Sequence, residues 1–525
     1  MGLTAPLWTR EQVAERILGG ETLVILRDKV LRIPPSWLAA HPGGSLAILH
    51  FVGRDATDEV DAFHSEETLR RMKGFVVASV DVGEEGWKPL LPPIANGWVR
   101  RLGKDGKPEW YHEADPLHIV EPHSDTSTSQ ILLVKREAAA PSAPSPSILE
   151  PPTTPLCPKV QAQHSAAYKT LHKRIVDAGL YQTRYITGYG PEIARYILLA
   201  VVSAIAYSRG WLILSAICLG LFWHQLTFFA HDLGHNGVTH KWHVDRLLGI
   251  FIADFLGGLS IGWWVDNHNV HHLVTNHPSH DPDIQHIPFF AITPVFLNSL
   301  WSSYYKRVME FDAFSKLFIS LQHKLFYVVL SLARFNLYAL SYGFLAKTTF
   351  QPRRALGGRW WWWAEVTSLG LFWTWFGTLL VNLGSWRQAV LYLLVSHVVA
   401  SPVHVQIVLS HFSRSTADLG PAESFAARQL RTTVDVICSP AIEFIHGGLH
   451  LQVTHHLFPR LPRHNLREAS KLVKEFAREQ DLEYAEFGFM EGNEDVRNVL
   501  KQVADQVKIV GMVADAEVRE AMRAQ

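Results

Sequence analysis

Histidines arrive in clusters whose spacing suits metal ligation. FFAHDLGH puts His231 and His235 four apart, and NHNVHH puts His268, His271 and His272 in a three-then-one step. LQVTHH repeats the second pattern with Gln452, His455 and His456, Gln standing first. Residues three or four apart on a helix share a face, so each set can aim its side chains at one point. Imidazole suits zinc, copper, iron or nickel, whereas carboxylates and carbonyls suit magnesium and calcium. One metal takes three or four protein ligands, so this donor set points to a two-metal centre. His397, His404 and His411 lie seven apart, along one helical stripe. At ~1.5 Å rise per residue His404 would sit roughly 10 Å deeper than His411, so His411 joins the ligand set. His404 is then expected as a packed polar residue or a tunnel lining. Asp232 and Asn269 are candidates to hold imidazole tautomers, or else to cap helices and bond loops. A second chemistry shows near the N-terminus. His41-Pro42-Gly43-Gly44 makes a tight turn whose backbone, lacking Cβ atoms, can approach a flat ligand, and His64 in DAFHS is the natural partner of His41.

The elements that must position these groups are mostly apolar. The chain has 525 residues with Lys+Arg and Asp+Glu both 49, so net charge gives no hint of nucleic acid, and no basic nucleic-acid motif is present. Its 18 Trp and 27 Phe favour membrane interfaces. Cys157, Cys218 and Cys438 have no disulfide-like or metal-like spacing, which fits a reducing cytosolic face. No signal-peptide pattern opens the chain. Residues 1–82 read as a small soluble domain: Thr9 and Gln12 form a capping box, and TLVILRDKVLRI reads as paired strands around an Arg-Asp turn. Residues 83–160, rich in Pro, Ser, Thr and Ala, read as a mostly disordered linker with ordered patches near Trp98 and Trp110.

From there the pattern turns to the membrane. Tyr196–Tyr207, its start extending to about Pro191, and Trp211–Phe229 form one hairpin; Trp361–Val381 and Ala389–Leu409 form another. Leu247–Ile261 and Phe326–Leu345 are apolar but broken by Asp254, Arg334 and Asn336, and are expected to be interfacial or re-entrant. The hairpin turns carry Arg209 and Arg387, while segments 162–195, 241–360 and 413–525 carry many basic residues. The positive-inside rule therefore puts both termini and all histidine clusters in the cytosol. The expected architecture is an α-helical polytopic membrane protein. Residues 161–475 would form a membrane domain of about four transmembrane helices in two hairpins carrying the three histidine clusters on its cytosolic side, and 476–525 would be a cytosolic helical segment.

Two resemblances sharpen this. HPGG followed by FVGRDATDEVDAFHS resembles the haem-binding core of cytochrome b5, an α+β fold, over most of residues 8–80. It implies haem b with His41 and His64 as axial ligands, an electron-transfer rather than oxygen-binding arrangement. The acids Asp55, Asp58, Glu59 and Asp61 then read as a docking patch for a basic reductase or as a solvated helix face. HDLGH, HNVHH and QVTHH, in this order behind such a domain, resemble the front-end membrane desaturases over roughly residues 165–475. The resemblance implies a di-iron centre that activates O2, held by His231, His235, His268, His271, His272, Gln452, His455 and His456, to which the helical stripe adds His411. Gln452 carries the front-end mark. HDPDIQHIPFF and FIHGGLHLQVTHHLFPRLPRHNL look most like Δ8-sphingolipid desaturases. Departures are Thr454, where many relatives have Glu, His450, where many have Gln, and Val265-Asp266, where basic residues are common. His446 and His450 stay open as contributors to the metal site.

The reaction so implied introduces a double bond at Δ8 of the long-chain base of a ceramide. Two electrons would come from an NADH- or NADPH-dependent reductase, through the haem domain, at the endoplasmic reticulum membrane. Alternatives are a Δ5/Δ6-type front-end fatty acyl desaturase, a lipid hydroxylase on the same iron scaffold, and a non-catalytic membrane electron carrier.

Overall fold

The computed structural model describes residues 5–102, 107–113, 143–351 and 359–523. Thr9 caps the Arg10–Leu18 helix in a reciprocal box with Gln12. Leu23–Leu26 and Lys29–Arg32 pair antiparallel around Arg27-Asp28, with Arg27 at φ 60°. Val76–Val80 joins antiparallel to Lys29–Arg32 and parallel to Leu7–Trp8, which completes a four-stranded sheet. Val13, Ile17, Leu23, Ile25 and Val30 fill the core beneath it.

The expected linker differs from a free tether along its flanks. Leu90 and Leu149 are fully buried in that same core, and Trp87 Nε1 donates to Gly53 O at 3.0 Å. Arg10 pairs with Glu150 at 2.6 Å. The patches at Trp98 and Trp110 form an antiparallel hairpin, Trp98–Leu102 with Pro108–His112, and Trp110 Nε1 donates to Leu18 O at 2.9 Å. Burial of these two leucines and two indoles favours the wrapped over the free arrangement, and these flanks lie on the small domain. Residues 103–106 and 114–142, the rest of the expected linker, lie outside the described residues.

Helices Tyr185–Ser208, Leu212–Gly234, Trp360–Val381 and Trp386–Leu409 are long and apolar enough to cross a membrane. Leu212–Gly234 is the most enclosed, with the first and fourth packed against it. Two further pairs are sharply bent: Trp242–Leu256 with Ile261–Leu273 at 112°, and Ala313–Ser331 with Ala333–Thr348 at 70°. The polar residues that interrupt these apolar runs pin the bends. Asp254 accepts from Ile261 N at 3.1 Å, and Glu365 of the third spanning helix accepts from Ser260 Oγ at 2.5 Å and Gly262 N at 3.1 Å. Arg334 donates to Gly257 O at 2.5 Å and to Tyr338 Oη at 3.1 Å. Buried backbone groups freed at the turns thus find partners within the protein.

The C-terminal helix Phe489–Arg523 packs on Ala313–Ser331, and Val496, Leu500 and Val503 enter the core that holds Phe326 and Phe412. Glu486–Gly488 pairs parallel with Asp435–Ile437. Residues beyond 475 therefore complete the large domain's core instead of standing apart from it, because their apolar stripe has a matching face there.

Candidate metal centre

The helices bring the histidine clusters to one buried place. Leu212–Gly234 delivers His231 in its last turn, with His235 just beyond. Ser260 caps the Ile261–Leu273 helix through Trp263 N, and that helix presents His268, His271 and His272. The short helix Gln452–Leu457 presents Gln452, His455 and His456, fixed at its start by Asp435, which accepts from Val453 N at 2.8 Å. His411 follows the end of the fourth spanning helix.

Two donor groups result. Ligand atoms of His231, His235, His268 and His455 all lie within 4.8 Å of one another, as do those of His271, His411 and His456. His272 stands between them. Its Nε2 is 3.1 Å from His268 Nε2 and 3.2 Å from His455 Nε2, while its ring stacks on His456 at 4.1 Å. A neutral ring has one N–H, so His272 Nε2 can satisfy only one of those two neighbours. The Nε2 atoms of His231, His235 and His456 are buried with no hydrogen-bond partner among the described residues. Unsatisfied buried nitrogens cost of order 1–3 kcal/mol each, and a cation in each group would remove that cost. Burial, then the neighbouring imidazoles, push His455 and His456 well below the ordinary imidazole range, which leaves them neutral lone-pair donors. The residues fit the transition-metal pair that their types imply.

For five of these rings the opposite nitrogen faces an acceptor. His271 Nδ1 meets Asp281 Oδ2 at 2.9 Å, and Asp281 itself accepts from Asn276 N and Asp283 N at 2.7 and 2.8 Å. His411 Nδ1 meets Thr432 O at 3.2 Å, and His456 Nδ1 meets Gln429 Oε1 at 2.9 Å. His268 and His231 face Asp283 and Asp232 at 3.4 and 3.5 Å. An acceptor at Nδ1 fixes the tautomer that leaves Nε2 free to ligate. Asp232, expected in this role, is here, tied to Tyr189 Oη at 2.7 Å and Arg463 at 3.3 Å. Asn269 is not: it points to the small domain, beside Gly43. Sequence reasoning missed Asp281, Asp283, Gln429 and Thr432. The Asp-Pro-Asp in HDPD was the available signal for the first two; Gln429 and Thr432 gave none.

A cavity of about 760 Å³ opens at the centre. His231, His268, His271, His411 and Gln452 line one region; Leu259, Leu325, Val329, Leu337, Leu340 and Val403 line much of the rest. Gln452 Oε1 is buried without a partner among the described residues. His404 lines the cavity, as expected of a tunnel residue, whereas His397 is packed, bonded to Tyr338 Oη at 3.1 Å and stacked on Phe335. His446 and His450 pack on each other and belong to neither donor group.

The His41 and His64 rings lie 6.2 Å apart, centre to centre. Imidazole nitrogens bind first-row metals at about 2 Å, and the ring centre lies about 1 Å beyond, so two rings flanking one metal stand about 6 Å apart. His41 Nδ1 meets Gly44 O at 2.9 Å and His64 Nδ1 meets Val60 O at 3.0 Å, which leaves Nε2 free on each. Burial lowers both imidazoles, that of His64 to about 4. The pair and its glycine turn fit a haem. The acidic patch fares differently. Asp58 and Glu59 are buried against the large domain, Asp58 accepting from Ser165 Oγ at 2.6 Å, so that face meets this chain's own helix and is closed to a reductase in this pose.

Comparison with known proteins agrees with this layout. The family described as fatty acid desaturase matches residues 209–488, and that described as cytochrome b5-like haem/steroid binding domain matches residues 9–83. The chain is 43% identical to the Delta 8-(E)-sphingolipid desaturase of Emericella nidulans, over 96% of this chain and 95% of that one. It is 40% identical to the Delta 8-(E)-sphingolipid desaturase of Komagataella phaffii, over 96% and 94%. It is 29% identical to the Delta(8)-fatty-acid desaturase 2 of Arabidopsis thaliana, over 95% and 94%.

Proposed function

We propose, from the premise that this chain belongs to the fatty acid desaturase family and carries a fused cytochrome b5-like domain, that it introduces the Δ8 double bond into the long-chain base of a ceramide. The fungal relatives' names, which specify (E), extend the reading to a trans product. The observation that carries it is the pair of buried imidazole groups with unpartnered Nε2 atoms at one region of a largely apolar cavity.

His231, His235, His268 and His455 would hold one iron and His271, His411 and His456 the other, with His272 and Gln452 completing the set. Such a pair supplies the oxidising power, from O2, that an unactivated alkyl C–H bond demands. The chain's own side chains do the rest. Asp281, Gln429 and the Thr432 carbonyl hold His271, His456 and His411 in the ligating tautomer. The apolar walls hold the lipid chain extended and keep water from the oxidising site. His41 and His64 would hold haem b, which would supply single-electron transfer from an NADH- or NADPH-dependent reductase. Arg209 and Arg387 at the hairpin turns support an orientation with both termini, the haem domain and the metal centre in the cytosol, at the endoplasmic reticulum membrane.

The test is lipid analysis of a host without desaturases that expresses this chain, beside His271→Ala and His41→Ala. A new trans-Δ8 bond in long-chain bases, absent from both variants, is the expected outcome. New double bonds in acyl chains alone would move the substrate to fatty acids. No new lipid from folded, haem-loaded protein would overturn the catalytic reading.

A further inference from the structure

The small domain sits directly on the helix that supplies the middle histidine cluster. On Ile261–Leu273, His268, His271 and His272 occupy one face and Asp266, Asn269 and Leu273 another, each set stepping by one, three or four residues. The second face receives the small domain. A Cβ on Gly43 would lie 3.0 Å from Asn269 Nδ2, and one on Gly44 would lie 2.5 Å from Asp266 Oδ1, so the glycine turn rests on this helix at backbone distance. Leu273 packs with Val24, Phe51 and Ala56. Phe63, the residue before His64, sets its ring against His272 at 5.8 Å between centres and 85° between planes. His272 in turn touches both donor groups, through His268 and His455 on one side and His456 on the other.

We propose that the Ile261–Leu273 helix is a wall shared by the haem and metal sites, and that the Phe63–His272 contact is where electrons cross between them within one chain. The inference rests on the haem and iron assignments above. Each crossing oxidises ferrous haem to ferric and reduces one ferric ion of the pair to ferrous. Two crossings, each followed by re-reduction of the haem by the flavoprotein reductase, supply the two electrons of a turnover. Phe63 and Asn269 are positioning residues: they set the approach of the two sites and ligate neither.

The experiment uses the full chain, loaded with haem and iron, in detergent. With the haem pre-reduced, mixing with O2 and ceramide is followed at the haem absorbance, and His271→Ala gives the background rate; new lipid is measured in a parallel incubation with NADH and a flavoprotein reductase, since one haem carries only one of the two electrons. Phe63→Ala is expected to slow haem reoxidation about tenfold with an unchanged haem spectrum, as one lost positioning contact would. Asn269→Trp, which pushes the glycine turn off the helix without touching haem or iron, should slow it as well, and Phe63→Tyr should not. In a Cys157→Ser background, Asp58→Cys with Ser165→Cys should form an interdomain disulfide that is visible by electrophoresis without any cofactor. Wild-type reoxidation rates in both Phe63→Ala and Asn269→Trp, with product still formed, would overturn the proposal. Haem reoxidation without any new lipid, in wild type as in the variants, would instead sink the functional reading.

Discussion

The two histidine sites use one device with different reach. At both, Nδ1 is tied to an acceptor and Nε2 is left to ligate, in the metal centre for His271, His411 and His456. In the haem pair the acceptors are backbone carbonyls three and four residues away, Gly44 O and Val60 O. In the metal centre they lie further along the chain: Asp281 ten residues from His271, Thr432 21 from His411, and Gln429 27 from His456. The candidate haem ligands are thus oriented by their own turn and helix end. The candidate metal ligands are oriented only once segments further along the chain have packed, which ties the ligating geometry to the integrity of the whole domain.

Removing a ligand tests the contrast most severely. His456→Ala should abolish desaturation and lower bound iron, measured by metal analysis, while the haem spectrum stays intact. The next largest effect is expected from Asp281→Asn, which leaves every ligand in place and removes the charge that holds His271. Loss of such an outer partner costs about 10–100-fold in metal affinity or activity, and iron titration of the purified chain reads it. The haem pair offers no equivalent target, because its acceptors are main-chain.

Smaller effects sharpen the local side of the comparison. Leu90→Ala, at a fully buried position contributed by the expected linker, should destabilise the haem domain by about 2–5 kcal/mol. Haem release on heating would report it, with the iron content of the large domain unchanged. Glu150→Ala should cost less than about 1 kcal/mol in the same assay, since its pairing with Arg10 is at the surface. A Leu90→Ala protein as stable as wild type would return this flank to the role of a free tether.

Much of the site was legible because it is encoded locally. The box histidines share helix faces by their spacing, and the HPGG turn and DAFHS segment carry their own orienting carbonyls. The capping box at Thr9 and the Arg27-Asp28 hairpin were legible for the same reason. Asn269 was misplaced although spacing already sets it off the His268, His271 and His272 face; what its own face meets, the small domain, is not in the spacing. The acidic face around Asp58 looked open for the same lack: what covers it, Ser165, is 107 residues away. Leu90 and Leu149 were lost in a stretch whose average composition reads as tether, although single leucines with a groove to fill outweigh that average.

The sequence alone marked the candidates for chemistry: which side chains can bind metal, which turn can cradle haem, and which runs are apolar enough to span a membrane. These follow from residue type and from periods of three or four, properties of a segment by itself. Only the tertiary structure decided how the imidazoles divide into groups of four and three with His272 between them, and which acceptor fixes each ring. It also decided that the haem domain rests on the back of the helix bearing His272. Those are relations between segments separated along the chain, from ten residues for Asp281 and His271 to 183 for His272 and His455, set by packing and burial, and no local pattern contains them.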